Sequence, residues 1–261
     1  FEDVGDWWTR ADADAIKPIV AVPTTAGTGS ETGRAGVITN EQTAEKKIIF
    51  HPKMLPAQVI CDPELTVGMP QAITAGTGMD AFAHCLEAFC APNYHPMSHG
   101  IALEGLRLVS ENLVQAFENG TDVEARSHMM AAAAMGSVAF QKGLGAIHAL
   151  SHPVGAVHHT HHGTTNAVVM AEVLKFNRPA VEDKIGRAAA YLGLSGGFDG
   201  FLAHVVALNQ RLGIPGSLGA LGVNDPDIDR LVAAALRDPS AGGNPVPLDP
   251  ANVRGLFEAV L

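Results

Sequence analysis

The sequence is poor in cysteine, in basic residues and in long apolar runs, and each shortage excludes a class of protein. It has three cysteines, Cys61, Cys85 and Cys90, with no pair spaced CxxC. Three thiols cannot close a disulfide framework, so the expected setting is reducing and cytoplasmic. Lysines and arginines number 17 against 27 aspartates and glutamates, for a net charge of −10. That balance lacks the basic face that a nucleic-acid or anionic-membrane binder needs. The longest apolar candidate, "MMAAAAMGSVAF", falls short of the roughly 18–20 residues of a membrane span. The chain opens on Phe1 rather than methionine, and "FEDVGDWWTR" is not a signal peptide. The expectation is a piece whose N-terminal sequence is missing. What is present is 261 residues, 47% hydrophobic and 17% charged, the composition of a globular chain with room for one big domain or two smaller ones.

Two textures divide the chain. Residues 1–68 read as short strands and turns. "PIVAVP", "AGVITN", "KKIIF" and "AQVICD" are brief apolar or β-branched runs, and "TTAGTGSETG" is rich in Gly, Thr and Ser. From Pro70 the apolar period becomes helical. "PQAITAGTGMDAFAHCLEAFCA" stops before Pro92, and a second helix closes at Asn119-Gly120. A third, "DVEARSHMMAAAAMGSVAFQKG", is so rich in alanine that burial among its neighbours is predicted. Further helices are expected near 144–157, 164–175, 179–193, 197–212, 225–237 and 250–261, with "GIPGSLGALGV" as a loop. The predicted fold is an α/β part over 1–68 followed by an all-α helical domain over 69–261.

Within the first helix, Asp80 and His84 stand four residues apart, so both side chains leave the same face one turn apart. Such a pair can hold one ion between a carboxylate and an imidazole, or can be an ordinary surface pair. The apolar neighbours Met79, Phe82, Leu86 and Phe89 place it in a buried helix, where an unpaired Asp and His would be costly. Glu87 continues the stripe and can support a ligand. Six of the twelve histidines then fall in "HALSHPVGAVHHTHHG", residues 148–163. His148 and His152 repeat the four-residue spacing, and Ile147 and Leu150 place His148 near a core. A metal site seldom uses more than four protein ligands, so most of the six do something else. His158, His159 and His161 fit a solvated turn or an adventitious metal-binding tract.

Four motifs, "PTTAGTGSE", "DPELTVGMP", "GTGMDAFAHCLEAF" and "GLGAIHALSHPVGA" followed by "HHG", resemble those of the iron-containing (group III) alcohol dehydrogenases, in the same order and across nearly the whole chain. The resemblance implies the architecture shared with dehydroquinate synthase, a dinucleotide-binding α/β domain followed by a helical metal-binding domain, with the cofactor in the cleft between them. It implies one divalent metal, iron(II) with zinc as the other candidate, on Asp80, His84, His148 and His162. It sets His152 beside the nicotinamide, where it is the candidate proton relay. Thr24, Thr25 and Thr28 would line the cofactor cleft. There Gly27 and Gly29 let backbone N–H groups approach a phosphate or ribose closely. Lys46 aligns with a lysine near the cofactor, and Lys47 is adjacent. The family's "GGGS" phosphate-binding motif is not in this sequence and would precede Phe1.

The function implied is hydride transfer between an alcohol or hydroxy acid and NAD or NADP, with the metal activating the alcohol oxygen. The expected partners are a small alcohol or aldehyde and a second copy of the chain or more, with no nucleic acid and no membrane. Two other readings stand beside it. One is a metal-binding module without redox chemistry. The other is a metal-dependent hydrolase, in which Glu87 would serve as base. Phe140, Val157 and His158 are candidates for shaping the substrate cleft.

Overall fold

The computed structural model describes residues 10–40, 45–223 and 227–261, and of residues 39, 40 and 45–47 the backbone alone. Each predicted apolar run in the first part forms a strand. β1 (Val20–Ala21) pairs in parallel with β4 (Gln58–Val59), Val20 opposite Gln58. β2 (Ala35–Asn40) and β3 (Glu45–Phe50) form an antiparallel ribbon with Ala35 opposite Phe50. The two pairs are separate sheets. The Gly- and Thr-rich turn leaves β1 and ends in a short 3-10 turn, Ser30–Thr32, which rests on a helix of the second part.

The described residues from 71 onward hold eight α-helices: α1 (Gln71–Cys90), α2 (Pro96–Glu118), α3 (Val123–Ala139), α4 (Ala146–His158), α5 (His162–Tyr191), α6 (Gly197–Arg211), α7 (Ile228–Arg237) and α8 (Pro250–Val260). None of them is long and apolar enough to cross a membrane. α1 is the axis of the packing. From Thr74 to Cys90 every residue except Thr77 is buried, which is why apolar residues occur on all its sides around the polar stripe of Asp80, His84 and Glu87. α2, α3 and α5 surround it. The alanines of α3 that face α1 and α2, including Ala132 and Ala133, are fully buried, as their small size requires at a close helix contact.

The C-terminal end of α1 is finished by two ammonium groups. Lys142 Nζ donates to the carbonyls of Ala88 at 2.9 Å and Ala91 at 2.5 Å, and Lys184 Nζ donates to those of Cys90 and Ala91, both at 3.2 Å. These are the carbonyls a helix leaves without internal partners, and positive charge there also suits the helix dipole.

One expectation is corrected. Residues 164–175 and 179–193 are not two helices but parts of α5, which runs unbroken through Pro179. Proline removes one N–H and crowds the preceding turn. Here Pro179 lies on the exposed side, while Asn177, Val181 and Ile185 are buried on the inner side and keep the axis continuous.

α1 and α5 touch through glycine. A Cβ on Gly163 would lie 2.0 Å from the Gly76 carbonyl oxygen and 3.0 Å from Asp80 Cβ. The close approach brings the start of α5 against the middle of α1, where Asp80 sits. We predict that Gly163→Ala destabilises the protein by about 2 kcal/mol, the usual scale of overpacking, and lowers Tm by roughly 4–8 °C. Thermal melts of the two proteins check this, and an unchanged Tm would rule out the contact.

Candidate functional site

Three helices each contribute a polar pair at the four-residue spacing: Asp80 and His84 from α1, His148 and His152 from α4, His162 and Asn166 from α5. Side chains so spaced share a helix face. Because α1, α4 and α5 converge, the three faces meet. Asp80, His84 and His148 are 3%, 4% and 1% exposed. His162, at the first turn of α5, keeps 30% of its side chain open.

The Asp80 Oδ1 atom is the focus. His84 Nε2 lies 3.7 Å from it, His148 Nε2 3.6 Å and His162 Nε2 3.5 Å. The His84 and His148 rings stack, with centroids 4.7 Å apart, and His148 and His162 are 5.2 Å apart. Ligating atoms of Asp80, His84 and His148 all fall within 4.8 Å of one another, a grouping able to hold a metal ion. The donor chemistry fits such an ion. Three imidazoles and one carboxylate suit iron(II) and zinc alike. The Asn166 amide offers two N–H bonds, yet its nitrogen is 2.8 Å from Asp80 Oδ1, 3.3 Å from His148 Nε2 and 3.2 Å from His162 Nε2.

Glu87 sets the orientation of His148. Its Oε2 accepts from His148 Nδ1 at 2.5 Å, and its Oε1 accepts from the Ile147 backbone N–H at 2.7 Å. A carboxylate at Nδ1 fixes a proton there and turns Nε2 toward Asp80. Both Glu87 oxygens are thus engaged on the far side of His148 from Asp80. The start of α4 has a second tether: Asn244 Oδ1 accepts from the Ala146 N–H at 3.1 Å and from Asn177 Nδ2 at 2.9 Å. Asn244 Nδ2 returns a bond of 2.8 Å to Asn177 Oδ1. Two N–H groups at the α4 N-terminus are therefore satisfied by side chains more than fifty residues away in sequence.

The charges respond to this crowding. Burial pushes His84 down to about 4, and the neighbouring Asp80 only partly opposes that. His148 moves the other way, up to about 10, because the Glu87 and Asp80 carboxylates outweigh its burial. Burial opposes ionisation of Asp80, yet His84, His148 and His162 together hold its carboxyl far below the ordinary range. The Gly27 backbone of the glycine-rich turn favours the charged form of His84, and His84 Nδ1 is buried with no hydrogen-bond partner among the described residues.

The remaining histidines separate cleanly. His152 Nδ1 is 2.7 Å from Asp238 Oδ2, and its ring stacks on His162 with centroids 5.2 Å apart. Burial would raise the Asp238 carboxyl, but the His152 ring and the Ser240 N–H hold it below the usual value. His161 is the N-cap of α5, where its Nδ1 accepts from the Thr164 N–H at 3.3 Å. His159 ends α4 in the left-handed region, with φ of 55°. His158 closes the last turn of α4. All three belong to the chain reversal between α4 and α5.

The glycine-rich turn lies against the same helices. A Cβ on Gly27 would lie 2.7 Å from Thr77, and Gly29 has φ of +61° with the Ala133 carbonyl 2.2 Å from where its Cβ would be. Only glycine fits at either position. Gly27 is buried, while Thr24, Thr25 and Thr28 are exposed. Lys46 stands in β3 opposite Thr39, and its side chain lies outside the described residues. Phe140 contacts His84, with ring centroids 4.8 Å apart. Sequence reasoning missed Asn166 and Asp238. The repeated four-residue spacing in "HGTTN" was a usable signal for Asn166, but the Asp238 contact spans 86 residues and has none.

Comparison with known proteins places the chain in a family. Residues 74–261 match the model of the Fe-containing alcohol dehydrogenase family, C-terminal part, and residues 3–63 match that of iron-containing alcohol dehydrogenase. A 4-hydroxybutyrate dehydrogenase of Cupriavidus necator is 42% identical over 94% of this chain and 66% of its own length. An NAD-dependent methanol dehydrogenase of Bacillus methanolicus is 39% identical over 88% of this chain and 62% of its own. The crystal structure of a sulfoacetaldehyde reductase from Bifidobacterium kashiwanohense, in complex with NAD+, superposes with a TM-score of 0.86 at 30% identity, over 93% of this chain and 64% of that one. The chain thus spans just under two thirds of the length of these relatives. With the family models covering both its strands and its helices, the chain belongs to the iron-containing alcohol dehydrogenase family.

Proposed function

We propose that this chain carries the metal site and the adjoining part of the cofactor cleft of a nicotinamide-dependent alcohol dehydrogenase acting on small alcohols or hydroxy acids. The observation that carries the reading is the convergence of Asp80, His84, His148 and His162 on one point next to the glycine-rich turn. Residues 1–68 are then the later part of the nucleotide-binding domain, and 69–261 the helical catalytic domain. The relatives' names, which specify hydroxybutyrate, methanol and NAD, support a small primary alcohol as substrate and NAD as cofactor. The family description supports iron(II). Assembly as a homodimer or larger completes the proposal.

When bound, the divalent cation supplies Lewis acidity toward an alcohol or carbonyl oxygen, and the nicotinamide exchanges the hydride. Asp80, His84, His148 and His162 would hold the cation. Glu87 keeps the His148 proton on Nδ1, so Nε2 faces the site. Asp238 does the same for His152 and leaves its Nε2 for proton exchange with the substrate oxygen. The exposed hydroxyls of Thr24, Thr25 and Thr28 offer hydrogen bonds to the cofactor. Glu87 would be the base of a hydrolase, but both its oxygens are bound to α4, which favours the dehydrogenase.

Three outcomes are expected. The purified chain should bind one Co(II) or Fe(II) per molecule under anaerobic conditions, and His148→Ala or Asp80→Ala should abolish that binding by metal analysis. Equal metal content in those variants would end the proposal. Glu87→Gln should weaken cation affinity roughly 10–100-fold, the usual effect of losing a carboxylate behind a ligating histidine. Titration against a chelator measures it. Asp238→Asn should lower kcat by a factor on the order of ten to a hundred while leaving metal content unchanged. The assay pairs primary alcohols with NAD and NADP. A loss of metal in Asp238→Asn would instead give it a structural role.

A further inference from the structure

Asn166 is fully buried, with 0% exposure, and belongs to no motif that picks out the metal site. It follows His162 by one turn of α5, so it reaches the site beside a ligand candidate. Its Nδ2 donates to Asp80 Oδ1 at 2.8 Å and lies 3.3 Å from His148 Nε2 and 3.2 Å from His162 Nε2. Its Oδ1 is buried with no hydrogen-bond partner among the described residues. The amide's donor end, and not its acceptor end, is therefore turned to the Asp80 carboxylate. The reverse orientation would set Oδ1 against Asp80 Oδ1, two electron-rich atoms facing one another.

We propose that Asn166 is a positioning residue of the cation site: its N–H2 group holds the Asp80 carboxylate in place beside His148 and His162, so that the ligand set is assembled before a cation enters. The inference rests on the metal-site reading of the preceding section and extends it to a residue that supplies no ligand atom.

The three contacts are not equal. The bond to Asp80 is short and charge-assisted, which makes it the strong one. The two contacts to imidazole nitrogens are long, share the remaining hydrogen and are weak. A cation takes the imidazole lone pairs in place of the two weak contacts. The carboxylate oxygen has a further lone pair, so the bond from Asn166 to Asp80 persists and continues to hold the carboxylate. Asn166 therefore acts mainly on Asp80 and competes little for the histidines. Without it, the polar neighbours of Asp80 Oδ1 among the described residues are imidazole nitrogens at 3.5 Å and beyond, and the carboxylate loses its one short hydrogen bond.

The test uses the whole chain and Co(II), whose visible bands report ligand geometry. Wild type, Asn166→Leu (similar in shape, without donors) and Asn166→Ala are compared, with circular dichroism and thermal melts to establish folding. Co(II) affinity is measured by competition with a chelator, and the imidazole nitrogens of the cation-free proteins by 15N NMR. We expect the folded variants to bind Co(II) at least roughly tenfold more weakly, the scale for groups that orient metal ligands. The visible bands should shift, and the His148 and His162 nitrogens should move in the cation-free state. If Leu is not accommodated, Ala carries the comparison. Wild-type affinity and spectrum in a folded variant would overturn the role of Asn166, as would tighter binding, which would make it a competitor. A wild-type protein that takes up no Co(II) would instead overturn the metal-site reading itself.

Discussion

Everything at the centre of this protein depends on one buried carboxylate oxygen. Asp80 Oδ1 has three imidazole nitrogens and one amide nitrogen around it, in a place almost closed to water. A carboxylate so placed loses its hydration and must be compensated by its neighbours. A neutral imidazole does this poorly, because an Nε2 that keeps its lone pair offers the carboxylate no proton. The environment is therefore built for a positive charge held by lone pairs. The surrounding parts follow from that need: Glu87 turns His148, Asp238 turns His152, and Asn166 steadies the carboxylate.

The helical domain serves this geometry by close approach. α1 is buried on every side, and α5 comes to backbone contact with it through Gly76 and Gly163. A single repeated spacing then does the placement. Four residues along a helix return a side chain to the same face, and three helices use that spacing to aim two polar groups each at a common point. The glycine-rich turn presses on α1 and α3 with glycines that no larger residue can replace, so the exposed threonine hydroxyls sit on a rigid base close to His84.

Much of this was legible in the sequence, for identifiable reasons. Asp80 and His84 lie in one helix, so periodicity alone paired them. Glu87 continued the same stripe, and its supporting role was readable, though not that it would choose His148. His148 and His162 are fourteen positions apart across a chain reversal, and no local rule joins them. Their selection from six histidines rested on family resemblance, and the structure brings both to Asp80. His161 and His159 turned out to cap and close helices, local work that a run of histidines conceals. Asn166 was missed because asparagine is common and carries no ligand signature. Asp238 and Asn244 were missed because their partners are about 70–100 residues distant, and one sequence gives no account of such contacts. Pro179 misled because proline breaks helices in isolation, whereas here the buried inner face of α5 overrides it.

The reciprocal amide bonds between Asn177 and Asn244 reach the candidate metal ligands without touching them. Asn244 accepts the Ala146 N–H, two positions before His148, and the same loop carries Asp238 to His152. The support of the candidate site therefore extends well beyond its ligand candidates. A chain cut between α6 and Asn244 would retain all four candidate ligands and lose the outer brace that seats the helix bearing one of them.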